Sequence, residues 1–200
     1  MTKRMVFALA VLALPLLVVG CSKPPEVEMQ KANATIQAAR AAEADMYAPQ
    51  SLAAAQDTLN LAMQMKQEQD SKFALFRSYG KAKAMFVRAD VAAQKATADA
   101  QAEKERVRLE VTDLLAQVRG ELDAALTALN AAPVGKGNKA DIELIRTDLT
   151  AIGAAYDEAK LEFDGGKYLS AKAKVEAVRG RTAAIVAEIQ KAVEKKTGKR

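Results

Sequence analysis

Residues 142–193 read IELIRTDLT AIGAAYDEAK LEFDGGKYLS AKAKVEAVRG RTAAIVAEIQ KAV, and this stretch decides the fold class. Ile142, Ile145, Leu149, Ile152, Tyr156, Ala159 and Phe163 step alternately by three and four. That spacing returns an apolar side chain to one face of a helix at every turn. Gly165 and Gly166 then stop the helix, because glycine takes the left-handed conformation that closes a helix end. Tyr168, Ala171, Val175, Val178, Thr182, Ile185, Ile189 and Val193 resume the same alternation. Two heptad-patterned segments joined by a short glycine turn predict an antiparallel helical hairpin.

Composition extends the expectation to the whole chain. Of its 200 residues 50% are hydrophobic, yet only 4% are aromatic and none is Trp. Alanine fills roughly one position in five, and it is the strongest helix former because it loses no side-chain entropy. The β-branched and aromatic residues that favour sheets are sparse. The expected class is all-α: long antiparallel helices in hairpins or coiled-coil-like bundles.

The first 21 residues have a different character. Met1 to Arg4 are positively charged, Val6 to Val19 are apolar apart from the interruption at Pro15, and Gly20-Cys21 follow. The apolar run is too short for a spanning helix, which needs about 20 residues, and it fits the core of a secretory signal. The ending Val18-Val19-Gly20-Cys21 resembles the lipobox of bacterial lipoproteins. That resemblance implies a diacylglyceryl thioether on Cys21, cleavage between Gly20 and Cys21, and acylation of the new amino group. Cysteine suits the position because its thiolate is the nucleophile that takes the lipid. Two or three acyl chains hold a membrane stably where one does not. Ser22 stands where the inner-membrane retention signal has Asp, so Gram-negative sorting implies the outer membrane, facing the periplasm. With residues 1–20 removed, Lys3 and Arg4 are lost and the net charge falls from +5 to about +3. So small an excess does not indicate nucleic acid.

In the body, Ser22-Lys23-Pro24-Pro25 reads as an extended tether over residues 21–25. A first helix is expected from Glu26 to Tyr47, with Ala34, Ala38, Ala41 and Ala42 as its packing face. A second covers Pro49 to Gln69 along Leu52, Ala55, Leu59 and Met63, with Pro49 in its first turn. Asp70-Ser71 supplies a turn. A third runs from Ser71 to Asn130 on Phe76, Tyr79, Ala82, Phe86, Ala89, Ala93, Ala96 and Ala100. It resumes, after a polar interval, on Val107, Val111, Leu114, Val118, Leu122, Ala125 and Leu129. Loop 132–138 then divides an N-terminal bundle region, 26–131, from the hairpin region, 139–200. Tyr79-Gly80-Lys81-Ala82-Lys83-Ala84 echoes Tyr168-Leu169-Ser170-Ala171-Lys172-Ala173. Shared composition produces such echoes by itself. A true duplication implies two stacked three-helix bundles sharing the long third helix.

The chain has no histidine and one cysteine. It therefore lacks the commonest general base and metal ligand, the Glu-x-x-His pair of di-iron bundles, and any internal disulfide. Gly135-Lys136-Gly137 lacks the spacing of a phosphate loop and reads as a turn. Glu103, Glu105, Glu110 and Asp113 alternate with Lys104, Arg106 and Arg108, as helix-surface ion pairs do. Tyr47, Tyr79, Tyr156 and Tyr168 suggest either a ligand cage or core packing with the hydroxyl at the edge. Lys191, Lys195, Lys196, Lys199 and Arg200 fit either contact with anionic envelope material such as peptidoglycan, or stabilisation of a helix C-terminus. This end also faintly resembles the basic terminus of the major murein-linked lipoprotein, which ends in Lys where this chain has Arg. No catalytic, metal or cofactor-binding residue is expected.

Tyr47-Ala48-Pro49-Gln50-Ser51-Leu52-Ala53-Ala54-Ala55-Gln56-Asp57-Thr58-Leu59, with Tyr79-x-x-Ala82 and Ala89-x-x-Ala92, resembles an alanine-rich helical envelope family labelled a domain of unknown function. Its members occur as lipoproteins or beside OmpA-like peptidoglycan-binding domains. The resemblance covers about Met29 to Ala102 and carries no catalytic residue; no OmpA-like domain follows it here. It implies a non-enzymatic structural or interaction module of the envelope, with an envelope protein or peptidoglycan as partner. A periplasmic lipid or small-ligand carrier using a bundle cavity is the alternative, and the heptads also suit a homo-oligomer.

Overall fold

The computed structural model describes residues 23–197. Cys21 and the signal before it, Ser22 and the last three residues lie outside the described residues. Among the described residues there are six α-helices, one 3-10 turn and no strand. The helices are α1 (Glu26–Ala41), α2 (Ala44–Tyr47), α3 (Pro49–Asp70), α4 (Gly80–Ala131), α5 (Lys139–Asp164) and α6 (Tyr168–Thr197). The all-α expectation is met. No described helix is long and apolar enough to cross a membrane.

The chain forms two compact units that divide between Glu103 and Lys104. The boundary does not fall at loop 132–138, which lies inside the second unit. It falls in the polar interval where the α4 seam fades: Ala100 and Val107 are buried, and Gln101, Ala102, Glu105 and Arg106 between them are exposed. α4 itself continues through this interval without a break.

The first unit packs α1, α3 and the beginning of α4. Lys66 of α3 pairs with Glu26 at 3.1 Å, so the end of α3 lies beside the start of α1. Ser51 bonds Asp99 while Asp70 bonds Tyr79, so α3 runs antiparallel to α4. Glu28 meets Lys83 and Thr35 meets Asp90, so α1 runs parallel to α4. The core is mostly alanine with a few large side chains: Ile36, Tyr47, Leu52, Leu59, Tyr79 and Phe86.

Four expectations for this unit require correction. The first helix stops at Ala41 and restarts at Ala44, with Glu43 between them at φ 60°, in the left-handed region. The Glu43 N–H donates to the Arg40 carbonyl, closing the helix end, and the redirected α2 buries Ala44 and Tyr47. The buried face of α1 is Ala32, Ile36 and Ala39, and Ala34, Ala38 and Ala41 are exposed. Ile36, the long aliphatic, sets the register. The third helix starts at Gly80, not Ser71, because 71–79 form an irregular loop around the 3-10 turn Ala74–Phe76. Phe76 is consequently exposed, and Met63 on α3 also leaves the seam in favour of Ala62.

The second unit packs the rest of α4 with α5 and α6. Arg146 bonds Asn130 and Tyr156 bonds Leu115, so α5 runs back along α4. Glu110 pairs with Lys172 and Glu121 with Arg179, so α6 runs parallel to α4. The α5–α6 hairpin turns where expected. Gly166 has φ 77°; its N–H donates to the Phe163 carbonyl and the Lys167 N–H donates to that of Glu162. This pair of bonds caps a helix in the Schellman manner. The predicted seams are buried, except that Leu115 replaces Leu114, Ala192 replaces Val193, and Phe163 and Tyr168 lie half-buried against each other, 5.3 Å between ring centres. Each unit thus has the same up–down–up order, and the echoed segments at Tyr79 and Tyr168 open the third helix of each.

Asn138 fastens the loop that precedes α5. It is 1% exposed; its Oδ1 accepts from the Gly135 N–H, and its Nδ2 donates to the Pro133 and Ala192 carbonyls. Asn138→Ala removes all three bonds, and we expect it to lower stability by about 2 kcal/mol. Urea unfolding followed by circular dichroism measures the loss; an unchanged midpoint contradicts it.

Candidate functional site

Cys21, where lipid is expected, and the cleavage site expected between Gly20 and Cys21 lie outside the described residues. The other candidates are placed. The tyrosines fall two to a unit: Tyr47 and Tyr79 belong to the first, Tyr156 and Tyr168 to the second. Tyr79 is 2% exposed and donates to Asp70 Oδ1. That bond, ahead of burial, raises the Tyr79 pKa and holds the Asp70 carboxyl below its usual range. Tyr156 is buried and donates to the Leu115 carbonyl at 3.1 Å. Both follow the pattern of a core ring whose hydroxyl finds a partner. The Lys104 ammonium lies 5.9 Å from the centre of the Tyr168 ring.

Two carboxylates of the acidic run, Glu105 and Glu110, form ion pairs on the helix surface. Arg108 grips Glu105 through two bonds of 2.7 Å, which lowers the Glu105 pKa. Glu110 accepts from Arg106 at 3.2 Å and from Lys172 at 2.6 Å. Gly135-Lys136-Gly137 is a turn held by Asn138. Lys195 pairs with Asp141 at 2.8 Å, tying the end of α6 to the start of α5.

Two polar clusters in the first unit escape a sequence reading. Asp90, 4% exposed, faces α1 from the seam side of α4. Thr35 Oγ1 donates to it at 2.6 Å, Lys31 Nζ at 2.9 Å and Gln94 Nε2 at 3.1 Å. Burial is the largest single influence and opposes ionisation, but these three donors together outweigh it and hold the carboxyl below its usual range. The second cluster joins α3 to α4: Ser51 Oγ and Lys95 Nζ both donate to Asp99. Lys95, then Ser51, lowers the Asp99 pKa. Ser51 lies in the first turn of α3, so Asp99 places negative charge at the helix end that favours it. A carboxylate whose pKa is depressed is a poorer base at neutral pH, the reverse of the tuning a general base needs.

The folded-state pKa of Asp90 lies below its unfolded value, so the group stabilises the fold fully above the unfolded pKa, about 3.9. That contribution disappears as pH falls through the lower folded value. Urea midpoints of the native chain are therefore expected to fall below about pH 4, and Asp90→Asn to flatten that decline while lowering the neutral-pH midpoint. Parallel pH curves for the two chains contradict the assignment.

The second unit carries an open apolar groove of about 380 Å³ between α4 and α5. Leu122, Leu126, Leu129 and Leu149 line it, with Arg119 and Arg146 also at the groove. Arg119 is paired with Asp123 at 3.2 Å, and Arg146 donates to Asn130 at 3.3 Å. Among the described residues no group of three His, Cys, Asp or Glu side chains is placed to hold a metal. Comparison with protein-family models, with curated proteins and with solved structures returns no match.

Proposed function

We propose that this chain is a bacterial lipoprotein of the alanine-rich envelope kind. It is anchored through lipid on Cys21 in the outer membrane and faces the periplasm, and its helices act as a non-enzymatic structural or protein-interaction module. The observation that carries the reading is the order of a basic start, a short apolar run and Val18-Val19-Gly20-Cys21 ahead of an all-α body. The paired, depressed carboxylates favour scaffold over catalyst, since their bonds tie helix to helix. Crosslinking in intact cells, followed by affinity recovery of the acylated chain, tests the role. Recovery of an envelope protein or of peptidoglycan fragments is expected. Recovery of the chain crosslinked only to itself contradicts the partner role and favours a self-associating spacer.

One observation favours the carrier reading as an alternative. The leucine-lined groove is within the size range of small-ligand sites, roughly 300–1,000 Å³, and two arginines could meet an anionic head. It is an open surface groove rather than an enclosed cavity, and both arginines already have partners. Native mass spectrometry showing a bound lipid that Leu126→Glu abolishes would replace scaffold with carrier.

A further inference from the structure

Loop 71–79 exposes three large apolar side chains in four residues: Phe73 at 70%, Leu75 at 67% and Phe76 at 75%. The exposure is built, because polar bonds fasten the base of the loop. Arg77 donates to the Lys72 and Asp70 carbonyls at 2.9 Å, the Ser78 N–H donates to Gln69 Oε1 at 3.0 Å, and Tyr79 is fixed on Asp70. The 3-10 turn then brings the two phenylalanine rings within 6.4 Å of each other, on the outside. A contiguous apolar cluster on a fastened loop marks a contact surface.

The position of the loop identifies what it contacts. Lys66 bridges Asp70 and Glu26 at 3.0 and 3.1 Å, so the loop leaves the first unit at the end where the N-terminal tether arrives. Cys21 precedes Glu26 by five residues, a span of at most about 18 Å. Any lipid on Cys21 therefore enters its bilayer close to this end. Lys23 on the tether and Lys72 and Arg77 on the loop supply positive charge here. Lys72 is held by the neutral Gln69 amide and Arg77 by carbonyl oxygens, while the nearby Glu26 and Asp70 are met by Lys66. Aromatic and aliphatic tips flanked by cations suit the headgroup boundary of an anionic bilayer.

We propose that Phe73, Leu75 and Phe76 insert into the interface of the anionic phospholipid bilayer that holds the lipid anchor, giving the first unit a second membrane contact. The proposal rests on the reading of Cys21 as the anchor. The contact fixes which end of the unit faces the membrane, an orientation that acyl chains on a short tether leave free.

The chain contains no Trp, so a single introduced indole reports alone. Phe76→Trp and, as the control, Met46→Trp are prepared as full chains and reconstituted in phosphatidylethanolamine–phosphatidylglycerol vesicles with acyl chains brominated near the headgroup. Met46 is 54% exposed and sits beyond the opposite end of α1. That helix is about 24 Å long. The Phe76→Trp chain is expected to show blue-shifted emission that loses most of its intensity to the brominated lipid, with Met46→Trp unshifted and unquenched. Equal quenching at both positions, or at neither, in chains that float with the vesicles overturns the loop contact and leaves the anchor standing. The mass of the same preparations tests the anchor separately. If Cys21 carries no acyl mass, the anchor reading falls, and quenching confined to Phe76→Trp still supports the loop.

Discussion

A Cys21→Ser chain is expected to lose acyl labelling completely and to retain its first 20 residues. Serine keeps the size and polarity of the position but removes the thiolate, the only group at this site able to form the thioether. Cleavage follows lipid transfer in the lipobox scheme, so the precursor accumulates rather than a shortened, unacylated product. Radiolabelled fatty acid and gel mobility measure both consequences together. A Cys21→Ser chain still shortened by 20 residues would show that the segment is an ordinary secretory signal with an incidental cysteine.

Phe86→Ala produces the largest loss of stability, about 3–5 kcal/mol. Phe86 is fully buried on the α4 seam of the first unit, among Ala82, Ala89 and Ala93. Alanine lets helices approach closely but contributes little apolar area of its own, so the few large side chains carry most of the hydrophobic stabilisation. Truncation also leaves a cavity that neighbouring methyl groups are too short to fill. For a unit of this size, total stability is on the order of 5–10 kcal/mol, so the loss takes a large share. Phe73→Ala, in which the lost ring was 70% exposed, is expected to change stability by less than about 0.5 kcal/mol. Urea unfolding of the two variants side by side separates burial from aromatic content; similar midpoints contradict the assigned core.

How far the fold could be read in advance follows from side-chain contrast. On α5 and α6 the seam is Ile, Leu and Val against charged neighbours, and nearly every inward position is evident from spacing. On α1 alanine occurs on several faces, so hydrophobicity does not distinguish them, and the single Ile36 decides the register. The break at Glu43 is hidden because glycine, the usual mark of a left-handed helix end, is absent there. Ser71 to Tyr79 contains no proline or glycine, and Phe76 falls on the seam spacing of α4, so periodicity alone extends the helix too far. Leu114 and Leu115 offer the seam two adjacent leucines, and packing selects the second.

Polar burial was the least legible feature. Asp90, Asp99 and Asn138 resemble surface residues until their bonds to Thr35, Ser51 and Ala192 are known, and these three partners lie 48 to 55 positions away in the chain. The loop at Phe73 to Phe76 shows the converse. Its residues are those of a core, and its exposure depends on the bonds from Arg77, Ser78 and Tyr79 that hold the chain turned outward.

The state of Cys21 is measured directly by the intact mass of the chain purified from membranes. A chain beginning at Cys21 and carrying diacylglyceryl and N-acyl groups is the predicted result. A chain that still begins at Met1, or one that begins elsewhere with no acyl mass, would contradict it.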